Sequence, residues 1–308
     1  MPGMLFMPTN RVLVSSISVV TGTAVSGYPV ENLNDWSPAH QLRVTPSASV
    51  VVLQFDLGSS PATTTDPSYL VDGLGIKNHN LDGCDITVKS NSVASFAGST
   101  TRVSAFTLQA NMQNPDMLNK FATPYADRYW YLVIGSAPNP TKLGVVGLGP
   151  TFDFGYPEGG HRESPRAQGD VMRSALGYPM QAELRDPVMA RTFKFTDPDQ
   201  VASTLIYNRT KGAGAYYAYG VFLRHMRQRF DRSIAAGGVV NTGVSAGAGI
   251  PIFYHLGDLN GLSSGGRPAF YGRVTVDADV KNELTYSDIN ITVEDEDPLG
   301  IDIAPSTY

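Results

Sequence analysis

This chain predicts a mainly β fold in two β-rich domains, residues 1–150 and 151–308. Three observations carry that expectation. Thirty-one glycines and twenty-one prolines recur without a fixed period, so the chain turns many corners without being collagen-like. Short runs rich in Val, Ile, Thr, Tyr and Phe stand between those corners, as strands do. Only two segments suggest helix, one of them short and the other weakly patterned. At 308 residues the chain exceeds the usual single-domain size.

The elements follow in order. Residues 11–20 are β-branched and partly alternating, which predicts a half-buried strand. Pro29 fixes φ and removes a donor, so Tyr28 to Asp35 is expected as an ordered loop, with Leu33 and Trp36 plugging the end of the first domain. Val50 to Leu57 is apolar at nearly every position and reads as a central strand closed by Gly58. Ser59 to Ser68 has the Ser/Thr/Pro/Asp chemistry of a surface loop. Leu70 to Ile76 returns as a strand. Asn78-His79-Asn80-Leu81 then makes a polar corner with an apolar foot, and Asp85 to Lys89 alternates as another strand.

Residues 91–125 are polar and weakly periodic and are expected as a long excursion. Tyr129 to Ile134, a proline-containing turn at 136–141 and Leu143 to Leu148 predict the last hairpin of the domain. Pro150 to Ala167 loses apolar periodicity, as a linker or wrapping arm would. Further on, Arg191 to Phe195, Arg273 to Val276 and Asp288 to Glu294 alternate as strands with one wet face. Asp199 to Asn208 fits a short helix after Pro198, and Tyr216 to Phe230 has weaker helical spacing. The Gly/Ala/Val/Ser-rich tract 235–249 predicts a loop or arm.

Composition limits function. The net charge is −5 with a pI near 5.5, so the whole chain has no attraction for nucleic acid or anionic lipid. The one basic cluster, Arg224 to Arg232, fits a protein contact or a solvated edge better than DNA phosphates. A single cysteine, Cys84, excludes an internal disulfide and any multi-cysteine metal site, and it is expected as a small buried residue beside a strand. The start, Met1 to Pro8, lacks the basic and apolar regions of a signal peptide, and no stretch reaches the roughly 18 apolar residues of a membrane span. A soluble protein made without export is the expectation.

No constellation of residues demands catalysis. His79 lies near Asp72 and Asp82, but the other histidines stand apart at 40, 161, 225 and 255, so hydrogen bonds to loop backbone explain the corner better than a metal. Asp66, Asp72, Asp82 and Asp85 lack the dense alternation of a calcium loop. No Gly-x-Ser-x-Gly elbow occurs, and Cys84 has no nucleophile motif around it. Asp295, Glu296 and Asp297 fit a solvated tail. Gly212-Ala-Gly214 and Gly144, Gly147 and Gly149 fit turns or close packing, not a phosphate loop. No catalytic, cofactor-binding or metal-binding residue is therefore assigned. Ligand-binding residues stay unknown; if exposed, Trp36, Tyr28 or Tyr69 would suit stacking on a sugar face.

The phrases Tyr28 to Leu33, Asp56 to Gly58, His79 to Leu81, Arg128 to Trp130 and Leu143 to Gly149 come in an order that resembles the galactose-binding-like, discoidin-type jelly rolls of tailed-bacteriophage minor tail proteins. The second half is similar, more loosely, to distal tail and baseplate proteins, through a Gly-rich arm, the strand 191–195 and the acidic close of 288–294. The resemblance implies a non-enzymatic virion protein, assembled in the host cytoplasm. It would form a homo-oligomeric ring, a hexamer, at the tail tip between the tail tube and the baseplate hub. Loops 151–170 and 235–250 would then order against neighbouring copies. The same fold also implies an alternative, a carbohydrate-binding module for host surface glycans.

Overall fold

The computed structural model describes residues 4–58, 70–108, 117–153, 161–168, 171–173, 179–181, 185–195, 234–235, 238–239, 244–245, 251–255, 267–268, 270–275 and 289–298. Its strands in chain order begin with β1 Leu5–Met7, β2 Thr9–Asn10, β3 Ser16–Thr21, β4 Thr23–Ala24, β5 Leu42–Thr45 and β6 Val51–Asp56. Next come β7 Val71–His79, β8 Asp85–Asn91, β9 Thr100–Thr107, β10 Met117–Tyr125, β11 Tyr129–Gly135 and β12 Thr141–Gly149. The remainder are β13 Phe152–Asp153, β14 His161–Gln168, β15 Val171–Arg173, β16 Pro179–Gln181, β17 Arg185–Phe195 and β18 Ile234–Ala235. Last are β19 Gly238–Val239, β20 Val244–Ser245, β21 Ile252–His255, β22 Arg267–Pro268, β23 Phe270–Thr275 and β24 Ile289–Pro298. No helix among the described residues is long and apolar enough to cross a membrane.

Three sheets stack. The front sheet runs β3-β6-β11-β8-β9, the middle sheet β22-β10-β7-β12-β5-β4, and the back sheet β13-β1-β21-β23-β24-β17-β14. From β5 to β8 successive strands alternate between front and middle sheets, as do β10, β11 and β12, the path of a jelly roll. One core fills the space between them. Val51, Leu53, Phe55, Ile86, Val88, Trp130, Leu132 and Ile134 enter it from the front, and Leu42, Val44, Leu74, Ile76, Leu143, Val146 and Leu148 from the middle. A period of two accounts for Val51, Leu53 and Phe55 on β6 and for Trp130, Leu132 and Ile134 on β11, while on β12 it breaks between Leu143 and Val146.

The outward face of the middle sheet is floored with glycine. β7 carries Gly73-Leu74-Gly75 and β12 carries Gly147-Leu148-Gly149, in a register that pairs Gly75 with Gly147 and Gly73 with Gly149. The two leucines point into the sandwich core, and the four glycines leave their strands bare on the other side. A Cβ on Gly75 would meet the Phe253 ring at 2.6–2.8 Å. One on Gly147 would strike Met7 and Phe253, and one on Gly149 the Thr9 carbonyl. The back sheet therefore lies against backbone, with Leu5, Met7, Phe253 and Tyr271 packing on Leu118 and Val145.

Backbone pairing ties the same layers together. β1 sits between β13 and β21 in the back sheet, while β22 adds to β10 in the middle one. On its other face the back sheet gathers Phe6, Phe193, Tyr254 and Phe270 into an aromatic cluster with centroid spacings of 5.4–6.2 Å.

Several expectations need correction. Residues 11–20 are not one strand: a 3-10 turn at Val12–Val14 precedes β3. The Asn10 carboxamide accepts the Val12 N–H at 3.0 Å, and Asn34 donates to the Val12 and Ser15 carbonyls, so local side chains capture this backbone. Residues 30–34 also form a 3-10 turn. The polar excursion at 91–125 contains β9 and β10; β9 is the outer strand of the front sheet, where polar side chains meet solvent. β11 and β12 do not pair as a hairpin. β11 lies between β6 and β8 and β12 beside β5 and β7, so the turn at 136–141 carries the chain from one sheet to the other.

The stretch expected as a linker holds β13 and β14, whose backbone pairs with β1 and β17 without any need for apolar alternation. Within 235–249, Ile234–Ala235 pairs with Gly238–Val239, and Val244–Ser245 with β2, so parts of the expected arm are strand. Residues 295–297 belong to β24, Asp295 standing opposite Gly272, and so are not a tail. The expected loop 59–68, helices 199–208 and 216–230, glycines 212–214 and basic cluster 224–232 lie outside the described residues.

Candidate surface around Trp36

The loop from Val25 to Gln41 leaves β4 and returns into β5, and side-chain hydrogen bonds hold it at both ends. Asn32 donates to the Gln41 carbonyl at 2.8 Å, and Asn34 to the Val12 and Ser15 carbonyls at 2.7 and 3.0 Å. Leu33 is fully buried in the sandwich core. Trp36 does not join it: the indole is 38% exposed, so only half of the expected pair plugs the sandwich. Beyond it the Pro38 carbonyl accepts from Asn78 at 2.7 Å, which ties the loop to the end of β7.

Beyond Trp36 the loop is knotted by Asp35. Its carboxylate accepts the Ser37 N–H at 3.0 Å and meets His40 Nδ1 at 2.5 Å. On β23 the strand period of two puts Tyr271 and Arg273 on one face, and both reach Trp36. The Tyr271 hydroxyl donates to the Trp36 carbonyl at 2.9 Å, and the Arg273 guanidinium stands 5.1 Å from the indole centroid. Tyr28, on the same loop, is half-buried with the Arg43 guanidinium 3.8 Å over its ring. Tyr69, the third candidate aromatic, lies outside the described residues. The outcome is an exposed indole on a hydrogen-bonded loop, with its backbone carbonyl held by Tyr271 and its ring beside Arg273.

The other residues singled out in the sequence hold the fold together. His79 Nδ1 accepts the Leu81 N–H at 3.1 Å, and Asn80 both donates to the Pro140 carbonyl and accepts the Lys142 N–H. That is the backbone role expected of the corner. Asp72 is buried and accepts the Thr151 N–H at 2.7 Å, while Asp85 accepts from the Thr107 hydroxyl. No cluster of three metal-ligating side chains occurs among the described residues. Cys84 is buried beside β8; burial, with Asp82 and Asp85 nearby, pushes its thiol up to about 11.

Sequence reasoning missed the two side chains that frame Trp36. Tyr271 and Arg273 lie 235 and 237 positions away, on or beside a segment read only as a wet-faced strand. Their alternation was the one signal that they share a face. At the far end of the front sheet Arg128 grips Asp56 with two hydrogen bonds of 2.7 and 2.8 Å. Burial alone would raise the Asp56 carboxyl. Arg128 and the Gly58 N–H outweigh it and hold the group below the usual 3.8.

No protein-family model matches the chain, and no curated protein matches it in sequence. Solved structures do. The protein CpGH89CBM32-6 produced by Clostridium perfringens is 12% identical with a TM-score of 0.33, over 46% of this chain and 98% of that one. Chitosan-binding module 1 of a chitosanase/glucanase from Paenibacillus sp. IK-5 is 14% identical with a TM-score of 0.35, over 45% and 97%. The CBM32 of AlyQ, in complex with 4,5-unsaturated mannuronic acid, is 18% identical with a TM-score of 0.33, over 43% and 92%. Likenesses this faint do not speak to function, and none of these matches bears on a phage tail role.

Proposed function

We propose that the chain is a non-catalytic binding protein that recognises carbohydrate through the surface around Trp36. One observation carries this reading: a large indole, 38% exposed, on a loop whose Asp35 bonds Ser37 and His40, with the Arg273 guanidinium over its ring. The electron-rich face of an indole suits the C–H face of a pyranose, and the polar rim suits its hydroxyls. Fixing the loop beforehand lowers the ordering cost of binding. A polysaccharide on a host cell surface is the substrate class we assign.

The test is a glycan array probed with the wild type and Trp36→Ala. Wild-type binding to a defined glycan class, lost in the variant, supports the assignment. Silence of the wild type across the array, or equal binding by both, ends it.

A second reading is favoured by a different feature. Among the described residues the eight-residue β14 forms an outer edge of the back sheet, paired only with β17. Such an edge suits strand addition by a neighbouring copy, and closed symmetry would satisfy every edge in a ring. In that reading the chain belongs to a phage tail tip and displays the Trp36 surface toward the host. Mass photometry decides it: a hexamer supports the ring, and a monomer at micromolar concentration removes it.

A further inference from the structure

We infer that the Trp36 surface is a two-sheet site, in which Tyr271 and Arg273 of β23 act as positioning residues for the indole. The inference rests on the carbohydrate-binding assignment for its purpose, but its physical content stands apart from it.

The chain of contacts is continuous. The glycine floor of the middle sheet admits the Phe253 ring. Phe253 packs on Tyr271 with centroids 4.8 Å apart, and both are almost fully buried. Tyr271 then hands its hydroxyl to the carbonyl of Trp36, a hydrogen bond linking residues 235 positions apart. Arg273, two residues on, stacks its guanidinium against the same indole. The loop carrying Trp36 springs from the middle sheet, so without the back sheet the jelly roll would keep Trp36 but lose both groups that set its place. An indole free to rotate would have to be ordered by each ligand, which weakens binding.

The two tryptophans make this measurable. Trp130 is fully buried with its N–H on the Asp127 carbonyl, so quencher-accessible fluorescence belongs to Trp36. Tyr271→Phe keeps the ring on Phe253 and deletes only the hydroxyl. Arg273→Gln removes the cation. In the full-length protein, acrylamide quenching of the accessible tryptophan should rise in Tyr271→Phe while the melting temperature stays near wild type. Quenching by iodide relative to caesium should fall in Arg273→Gln, because the guanidinium beside the indole draws the anion. For the array glycan that gives the strongest wild-type signal, Tyr271→Phe should weaken Kd roughly 3- to 10-fold, because the ligand must then order a side chain that the wild type holds in place.

Unchanged quenching in both variants overturns the inference, whatever the glycan result. Altered quenching with wild-type Kd overturns the positioning role and leaves only packing. If no glycan binds the wild type, the carbohydrate assignment falls, and the quenching arms still decide whether β23 sets the indole.

Discussion

Replacing Gly75 with alanine puts a methyl group where the Phe253 ring now lies, and the size of the effect can be worked out. The added Cβ would stand 2.6 Å from Cγ and 2.7 and 2.8 Å from the Cδ atoms, against an ordinary contact of at least 3.4 Å, so the ring must retreat by roughly 0.8 Å. It has little room, being 1% exposed and packed against Tyr271. Overpacking of this kind costs about 1–3 kcal/mol. Phe253→Ala alone leaves a cavity and should cost about 3–5 kcal/mol. In the double variant the new methyl occupies part of the vacated space, so the two losses should fall short of their sum by about 1–3 kcal/mol. Thermal and urea denaturation of the four proteins supplies the cycle, each kcal/mol moving the melting temperature by about 2–4 °C for a domain of 150–250 residues. Additive losses, within about 0.5 kcal/mol, would refute the close approach of the back sheet to the glycine floor.

Two further outcomes are expected. Cys84, with its thiol pushed to about 11, should resist Ellman's reagent at pH 8 in the native protein and react once denaturant is added, since only about a thousandth of it is thiolate; fast native labelling would contradict its buried setting. Asp56 is depressed in the folded state, so the stability it contributes is present above the unfolded value near 3.8 and is lost as pH falls through the lower folded one. Asp56→Asn should accordingly cost most at neutral pH, about 0.5–1 kcal/mol given the exposure of Arg128, and its difference from wild type should shrink in denaturation curves below about pH 4. A difference that widens in acid would show that Arg128 does not hold the carboxylate.

Much of the sandwich is legible in the sequence. Val51–Asp56 and Tyr129–Gly135 announce themselves by β-branched and aromatic runs, and Asn78 to Leu81 by its turn chemistry. For the glycines of β12 the sequence leaves turns or close packing open, and the structure shows close packing. β9 was not legible, because an outer strand with solvated side chains carries no apolar period. The 3-10 turn at Val12–Val14 was hidden for another reason: Asn10 and Asn34 override the β preference of a β-branched run.

Local pattern in the sequence specifies the β class and the places of the main strands of the sandwich. Those properties follow from the two-residue period of a strand and from turn chemistry, which act over a few neighbouring residues. Long-range packing alone sets β11 and β12 in different sheets, brings Phe253 onto the glycine floor, and leaves Trp36 at the surface with Tyr271 and Arg273 beside it. Each of these joins residues far apart along the chain. A strand's pattern says which face must be covered, but the covering partner is chosen by shape and backbone pairing across the whole fold.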